Sequence, residues 1–176
     1  MNNRLKVTLQ TIHIPLKKIT MEITKNKIIE TVRIVIEDLK TKFGYTKPKI
    51  LICGINPHAG EDGLLGREEI DIIIPAVKSL KKMGIEIDGP VPADTAFIKK
   101  FVNKYDVIHS MYHDQGLPVI KFDDFSKTTN VTLGLPIIRV SVDHGTAVEL
   151  VGTGKADISS FIQALKVARD ISKSAI

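Results

Sequence analysis

Apolar residues occur along the chain either in short runs, which predict strands, or at helical spacing, which predicts helices. These two kinds of segment follow each other in turn, so the strands are predicted to be separated by helices. The apolar run at residues 49–55 is typical of a strand covered on both faces of a parallel sheet, and residues 5–12 and 107–111 are further predicted strands. Residues 24–43 instead carry apolar side chains at helical spacing, and Thr24 is a good amino-terminal cap. The chain is therefore predicted to have an α/β fold.

Further elements complete this prediction. Helices are expected at residues 68–83, 95–104 and 158–173, and two more strands at residues 118–122 and 136–142, the second of them antiparallel. The apolar face predicted for the last helix consists of Ile158, Phe161, Ile162, Leu165 and Ala168. Residues 1–176 then form a single domain with a three-layer α/β/α architecture, in which helices cover both faces of a mostly parallel sheet.

The composition of the chain limits the kinds of molecule that it is expected to bind. The formal net charge of +5 arises from 25 Lys and Arg against 20 Asp and Glu, and the lysines are spread along the sequence. The sequence shows no basic cluster or nucleic-acid motif, its aromatic content is 5% and it has no Trp, so nucleic-acid binding is not expected. A small anionic substrate accounts better for the basic surplus.

The sequence also indicates a compartment. No apolar run reaches the roughly 18 residues of a membrane span, and the first residues lack the apolar region of a signal peptide. A single cysteine, Cys53, excludes an intramolecular disulfide and fits a reducing environment. We expect a cytoplasmic protein that binds no membrane, with Cys53 buried as a small apolar side chain rather than acting as a nucleophile.

Three histidines come at or shortly after the carboxyl ends of predicted strands: His13, His58 and His113. Parallel strands bring these ends to one edge of a sheet, where ligands bind. Three imidazoles leave one coordination position of a divalent metal open, which is the pattern of catalytic sites. We therefore predict a metal site, whereas His109, inside a strand, is expected to belong to the core.

Other polar residues predict an anion site. Arg139 lies in an apolar strand, where a buried guanidinium needs an anionic partner such as phosphate. Lys121 is a weaker candidate of the same kind, and Asn130 either contacts a ligand or caps a turn. Asp114 can ligate a metal, orient a histidine or accept a proton. The glycine-containing segment 142–157 is either a cofactor-binding loop or a surface loop.

These segments resemble one family closely, the 4-hydroxythreonine-4-phosphate dehydrogenases of pyridoxal phosphate biosynthesis. The matching stretches are residues 11–16 (TIHIPL), 54–61 (GINPHAGE), 66–69 (GREE), 89–95 (GPVPADT), 111–118 (MYHDQGLP), 130–136 (NVTLGLP) and 141–147 (SVDHGTA). The resemblance implies a fold like that of isocitrate and isopropylmalate dehydrogenases. Because family members are about twice as long, it also implies that this chain is truncated at its amino terminus and corresponds to the carboxy-terminal half.

The resemblance assigns roles to individual residues. It implies a divalent metal, zinc in the best-known members with Mg²⁺ or Co²⁺ as alternatives, bound by His13, His58 and His113. It implies that the phosphorylated substrate is bound by Lys121, Asn130 and Arg139, and that catalytic support comes from Lys121, Asp94 and Asp114. The loop near the carboxyl terminus is similar to the adenosine-side loop of the isocitrate and isopropylmalate enzymes. This likeness implies that NAD or NADP is bound by His144, Gly145, Ala147 and Gly152.

The implied reaction is the oxidation of 4-phosphooxy-L-threonine to 2-amino-3-oxo-4-phosphooxybutanoate, which loses carbon dioxide to give 3-amino-2-oxopropyl phosphate. The family acts as a homodimer with its active site at the subunit interface, so metal ligands are expected from both chains. A separate amino-terminal half is a further expected partner. Two alternatives stay open: a non-catalytic metal-binding or dimerisation module, and a dehydrogenase of a related phosphorylated hydroxy acid.

Overall fold

A four-stranded parallel sheet forms the centre of the computed structural model, which describes residues 1–146 and 148–174. Its spatial order is β1-β4-β2-β3, so the first strand lies beside the last one of the sheet. The strands are β1 (Val7–Leu9), β2 (Lys49–Cys53), β3 (Glu86–Val91) and β4 (Val107–Ser110). The sheet is all parallel, which confirms the predicted class of fold.

Helices connect these strands and follow them. They are α1 (Ile19–Glu22), α2 (Lys25–Thr41), α3 (Ile74–Lys82), α4 (Ala93–Ala96), α5 (Lys99–Val102), α6 (His113–Asp124) and α7 (Ser159–Ser174). Short helical turns span Leu16–Lys18, Pro57–Gly63, Glu69–Ile73 and Val148–Leu150. An antiparallel hairpin of β5 (Thr129–Thr132) and β6 (Arg139–Val142) forms a second, two-stranded sheet. Among the described helices, none combines the length and apolar character needed to cross a membrane.

The core lies on both faces of the sheet, and β2 shows why. Ile50 and Ile52 belong to the apolar cluster that contains residues of α2 and α3. Leu51 and Cys53 point to the opposite cluster, together with Ile120 of α6. Because successive strand residues face opposite sides, an uninterrupted apolar strand needs cover on both, which gives the predicted three layers.

Two helix predictions agree with the structure, and the cysteine prediction is confirmed. Helix α2 begins directly after Thr24, whose side chain accepts a hydrogen bond from the Lys27 amide. The segment predicted as one helix at 68–83 begins with a π turn and continues as α3. Cys53 is fully buried, and burial raises its pKa to about 12, so it is not a thiolate nucleophile.

Several predicted elements are wrong. Residues 118–122 are not a strand but part of α6, because a short apolar run fits either a strand or one buried side of a helix. The helix predicted at 95–104 is replaced by the two short helices α4 and α5. The predicted strand 136–142 forms only at β6; its antiparallel pairing is confirmed, but its partner is β5 in a separate sheet. The strands β3 and β5 were not predicted.

Helix α7 buries a different face from the predicted one. Its buried residues are Ser160, Ala164, Val167 and Ile171. These small and branched side chains let the helix lie close to the β5–β6 hairpin. The predicted apolar residues Ile158, Phe161, Ile162 and Leu165 are 42–63% exposed. An apolar stripe of this size on one helix is a surface for association.

We expect the purified chain to self-associate through this stripe. Changing Phe161→Ser together with Leu165→Glu should lower the apparent mass at high concentration, because it removes apolar area from the contact. Light scattering behind a sizing column measures the mass. Met83→Glu, at an exposed apolar position after α3, is the matched control and should leave the association unchanged. A chain that stays monomeric at every concentration contradicts this expectation.

His109 is a core residue, as predicted. It has no exposed surface, and its ring nitrogens lie 2.9 Å from Thr8 Oγ1 and 3.2 Å from Gln10 Oε1. Both partners follow from the pairing of β1 with β4, which sets Thr8 opposite His109. Burial lowers the pKa of His109 to about 4, so the ring is neutral in the folded protein.

Because the His109 imidazole is buried, the free energy of unfolding falls as the pH is lowered. The pKa of His109 is about 4 when folded against 6.5 when exposed, so the unfolded chain takes up the proton first as pH falls. The contribution of neutral His109 to the free energy of unfolding is complete above pH 6.5 and is lost progressively toward pH 4. Between pH 7 and pH 5 the loss should be roughly 2 kcal/mol. Urea unfolding of the wild type and of His109→Gln measures it: the variant should lose less, and equal losses contradict the assignment.

Candidate active site

His13 and His113 meet because the chain after β1 continues along the end of β4. The Gln10 amide donates to the Ser110 carbonyl at 2.8 Å, and the amide and hydroxyl of Thr11 both donate to the Met111 carbonyl. Two residues further along each segment, the rings of His13 and His113 lie with centroids 5.6 Å apart and planes at 44°. Backbone hydrogen bonds therefore set the distance between the two imidazoles.

This spacing suits a shared metal ion. A zinc ion bonded to two imidazole nitrogens at about 2.0–2.1 Å with a tetrahedral angle separates the ring centroids by roughly 5 Å. Asp114 Oδ1 lies 2.6 Å from His113 Nδ1, and this contact favours the proton on Nδ1 and leaves Nε2 as a ligand. Both histidine side chains are accessible, since they line a cavity. The described residues thus provide two imidazoles that fit one divalent ion.

His58 does not join this pair within the chain. It is exposed in the turn Pro57–Gly63 that follows β2. Among residues 1–146 and 148–174, no three potential ligands from His, Cys, Asp and Glu are close enough to hold a metal together. The turn packs instead against α4 and the segment before α3. A site with all three histidines therefore needs His58 from a second copy.

A cavity of about 540 Å³ adjoins the histidine pair. Its lining includes His13 and His113 on the sheet side and Asn130, Arg139 and Asp143 on the hairpin side. The remaining walls are largely apolar and come in part from α2. Two of the three residues predicted to bind substrate therefore share a cavity with two of the three predicted metal ligands.

The third predicted substrate ligand, Lys121, does not line this cavity but forms an ion pair with Asp143, which does. Lys121 Nζ lies 3.6 Å from Asp143 Oδ2, and the Lys121 side chain is about one-third exposed. Asp143 Oδ2 is buried and accepts no hydrogen bond from the described residues. A buried carboxylate oxygen without a hydrogen-bond donor is short of partners, so a donor on a bound ligand would be favourable there.

Arg139 is not buried, contrary to the prediction. It is exposed, and its Nη1 donates to Thr132 Oγ1 at 2.8 Å across the hairpin, where the two residues are paired in register. The expectation of burial assumed a central strand, whereas β6 belongs to a two-stranded sheet. Arg139 therefore stands at the rim of the cavity, with further N–H groups for an anion.

The hairpin is held over the sheet by α2. Asp38 Oδ2 accepts hydrogen bonds from the Gly134 amide at 2.7 Å and from Lys42 Nζ at 2.9 Å. The same ammonium donates to the Leu135 carbonyl at 2.7 Å. Because both Asp38 and Lys42 are largely buried, this ion pair with its backbone partners fixes the turn between β5 and β6. It thereby sets the width of the cavity.

Other predicted residues lie apart from the cavity. Asp94 is exposed in α4, directly after β3, at the opposite side of the sheet from β1. His144 and Gly145 are exposed and lie near each other, since His144 Nδ1 is 2.8 Å from the Gly145 carbonyl oxygen. Gly152 is exposed, and Ala147 falls outside the described residues. Of the residues predicted to bind the cofactor, the described ones, His144, Gly145 and Gly152, do not line the cavity.

Three residues around the site were missed. Asp143 and Thr132 line the cavity, and the position of Asp143 after β6 is a signal that the strand-end rule offers. Gln115 accepts from the Met111 amide at 2.6 Å and donates to the Gly54 carbonyl at 2.7 Å. It thereby ties the ends of β4 and β2 together, a role for which the sequence has no pattern.

Fold and geometry define a class: an α/β protein with imidazoles for a metal and polar groups for an anion at the carboxyl edge of a parallel sheet. The family model for "Pyridoxal phosphate biosynthetic protein PdxA" matches residues 1–168. The chain therefore belongs to this family, as its motifs indicated.

Similar proteins have names that agree with the family. A 4-hydroxythreonine-4-phosphate dehydrogenase from Pseudoalteromonas atlantica is 55% identical over 170 residues, which are 97% of this chain and 52% of the relative. The enzyme of the same name from Erwinia tasmaniensis is 52% identical over the same shares. The chain spans about half the length of the curated relatives it matches.

Solved structures share the fold. The crystal structure of 4-hydroxythreonine-4-phosphate dehydrogenase from Klebsiella pneumoniae superposes with a TM-score of 0.88 at 40% identity, over 98% of this chain and 52% of that one. A terephthalate 1,2-cis-dihydrodiol dehydrogenase from Burkholderia xenovorans has a TM-score of 0.77 at 28% identity, over 97% of this chain and 54% of that one. The same fold thus occurs in enzymes named for different substrates.

We expect the histidine pair to bind Zn²⁺ or Co²⁺. His13→Ala and His113→Ala should each abolish stoichiometric binding in a calorimetric titration, because each removes one of two converging ligands. Asp114→Asn should weaken binding by about 10–100-fold, since the ring of His113 loses its orienting carboxylate. His109→Gln is the control and should bind as the wild type does. Unchanged binding by the His113 variant would show that the pair is not the site.

Proposed function

We propose that this chain supplies the metal- and substrate-binding half of a 4-hydroxythreonine-4-phosphate dehydrogenase. The reaction is the NAD- or NADP-dependent oxidation of 4-phosphooxy-L-threonine to 2-amino-3-oxo-4-phosphooxybutanoate, with decarboxylation to 3-amino-2-oxopropyl phosphate. The observation that carries the proposal is the shared cavity, where His13 and His113 face Asn130 and Arg139. Family membership and the names of the relatives support it.

The phosphate of the substrate binds on the hairpin side. Arg139 uses one N–H for Thr132 and has others for phosphate oxygens, which a planar guanidinium binds in a bidentate manner. The Asn130 amide adds a donor from the adjacent strand, and Lys121 adds a positive charge beside Asp143. Two cations and an amide around one cavity select a substrate with a doubly charged anionic end.

The metal is held by His13 and His113, with His58 of a second copy as the third ligand. This arrangement agrees with the exposed position of His58 on its own chain. Imidazole ligands favour Zn²⁺ or Co²⁺ over Mg²⁺, which prefers oxygen. When bound, the ion polarises the substrate hydroxyl and stabilises the charge that develops on its oxygen. Asp114 keeps the His113 ring in the ligating orientation.

Protons move through groups on this chain. Lys121 is proposed to exchange a proton with the substrate, and the ion pair with Asp143 at 3.6 Å supports this role because it holds the ammonium beside a residue that lines the cavity. Asp94 lies at the end of β3 beside β2, on the same side as the turn that carries His58. In the two-copy site, Asp94 therefore enters together with His58 rather than with its own His13.

NAD or NADP, when bound, would supply the hydride acceptor, and we propose that the loop with His144, Gly145, Ala147 and Gly152 would hold its adenosine side. Gly152 has φ of 74° and Gly145 has open space around its Cβ position, so this backbone can approach a ligand closely. Neither residue lines the described cavity. The loop therefore leaves the cavity to the substrate.

A related substrate is the second candidate. The Burkholderia xenovorans enzyme of the same fold is named for a cis-dihydrodiol, so this architecture is not tied to one hydroxy compound. The anion-binding residues around the cavity favour a phosphorylated hydroxy acid over an uncharged diol. A threonate or erythronate phosphate would use the same Arg139 and Asn130.

The decisive assay combines this chain with the part of the Pseudoalteromonas atlantica relative that it does not match. With Zn²⁺ and NAD⁺ or NADP⁺, the mixture should form NADH or NADPH from 4-phosphooxy-L-threonine, and more slowly from threonate or erythronate phosphates. Arg139→Gln should raise KM by about tenfold or more with a smaller change in kcat, since it removes a charged hydrogen bond to the phosphate.

Arg169→Gln is the matched control, because Arg169 forms an ion pair with its neighbour Asp170 on the surface of α7, away from the cavity residues. It should leave both kinetic constants unchanged. Faster turnover of another phosphate ester would favour the second candidate. No turnover under saturating metal and cofactor, with a complex shown to form, would instead indicate a non-catalytic metal-binding module.

A further inference from the structure

The turn that carries His58 has an unusual backbone. His58, Ala59, Glu61 and Asp62 all have φ between 43° and 52°, and Gly60 between them has φ of 82°. Left-handed conformations cost roughly 1–2 kcal/mol per non-glycine residue. Four such residues in one exposed turn require that surrounding contacts hold the turn in place.

A buried carboxylate provides these contacts. Glu69 is only 2% exposed, and its Oε1 accepts hydrogen bonds from the amides of Ile55 at 2.7 Å and Asn56 at 2.8 Å. Its Oε2 accepts from Asn56 Nδ2 at 2.9 Å, and the same amide nitrogen donates to Glu68 Oε2 at 2.7 Å. No Lys, Arg or His of the described residues forms an ion pair with Glu69; its partners are N–H groups at the start of the turn. We call Glu69 and Asn56 the clasp.

The glycines of this segment are packed on the clasp. A Cβ at Gly60 would lie 2.6 Å from Glu69 Oε2, and one at Gly54 would lie 2.9 Å from Oε1. A Cβ at Gly66 would lie 2.4 Å from Asn56 Nδ2. The chain therefore packs against the Glu69 carboxylate at Gly54 and Gly60 and against the Asn56 amide at Gly66, where a side chain would not fit.

We infer that Glu69 is a positioning residue that holds the left-handed turn so that His58 is presented outward, ready to complete the metal site of a second copy. The inference rests on the proposed function for the role of His58. Glu69 cannot ligate the metal itself, because its carboxylate is buried and both oxygens are occupied by N–H donors. Holding the turn before the metal binds removes an ordering cost from the binding step.

The test compares Glu69→Ala, Glu69→Gln and Asn56→Ser in the complete chain. Glu69→Ala should speed hydrogen exchange of the amides at residues 55–63 by at least about tenfold, because the turn loses its buried acceptors. It should also weaken Co²⁺ binding by about 10–100-fold and change the visible spectrum of the bound ion, because the third ligand, which His58→Ala removes outright, is no longer held in place. Adding Glu69→Ala to His58→Ala should weaken binding no further.

The conservative variants separate positioning from loss of structure. Glu69→Gln keeps an oxygen for the Ile55 and Asn56 amides and should retain most of the affinity for Co²⁺. Asn56→Ser keeps those backbone hydrogen bonds but removes the two donated by the Asn56 side chain. It should give an intermediate loss of affinity for Co²⁺. Asp71→Ala, in the same π turn but paired at the surface with Arg67, is the matched control and should change neither readout.

The outcomes distinguish the inference from the proposed function. If His58→Ala leaves Co²⁺ binding and its spectrum unchanged, the proposed metal site is wrong, while hydrogen exchange still tests the clasp. If His58→Ala weakens binding but Glu69→Ala and Asn56→Ser do not, the site stands and the positioning role is overturned. Unchanged exchange of the turn in Asn56→Ser and Glu69→Ala would overturn it as well. Should Glu69→Ala fail to fold, Glu69→Gln and Asn56→Ser decide the matter.

Discussion

The pairing of the chain after β1 with the end of β4 is the constraint on which the site depends. Hydrogen bonds from Gln10 and Thr11 to the carbonyls of Ser110 and Met111 prolong the strand contact beyond the sheet. They bring two segments distant in sequence to a fixed separation, with a histidine at the same step of each. Because the Gln10 and Thr11 amides make two of these three hydrogen bonds, the separation of the two segments that carry the imidazoles is set mainly by backbone contacts.

The rest of the site is attached to this edge by polar contacts of a different kind. Asp38 and Lys42 hold the hairpin that brings Arg139 to the cavity, and Gln115 links the ends of two strands. Glu69 fixes the turn of His58. In each case a buried or half-buried side chain satisfies backbone groups of a loop. The arrangement resembles a supporting layer behind the residues that contact ligands, and it gives each ligand-binding residue a rigid base.

The sequence supported the prediction of the layers and of the strand-end histidines, because apolar periodicity and strand polarity are local and repeat along the chain. It failed where tertiary contacts decide between two options. Residues 118–122 fit both a strand and a helix side, and α7 turns Ala164, Val167 and Ile171 inward while Leu165 stays exposed, because the β5–β6 hairpin packs against that face. Arg139 was expected to be buried because the apolar sequence of a four-residue hairpin strand resembles that of a central strand in a sheet. Glu69 and Gln115 form hydrogen bonds with backbone groups of neighbouring segments, and no sequence pattern predicts such contacts.

The central claim is that the metal site is shared, with His13 and His113 on one copy and His58 on the other. Mixing unfolded His13→Ala and His58→Ala chains, refolding them together and measuring bound Co²⁺ tests it most directly. Neither variant should bind the ion alone. With random pairing, mixed dimers contain one intact site, so the mixture should recover about a quarter of the wild-type capacity. A mixture that binds no more than the separate variants would contradict the shared site.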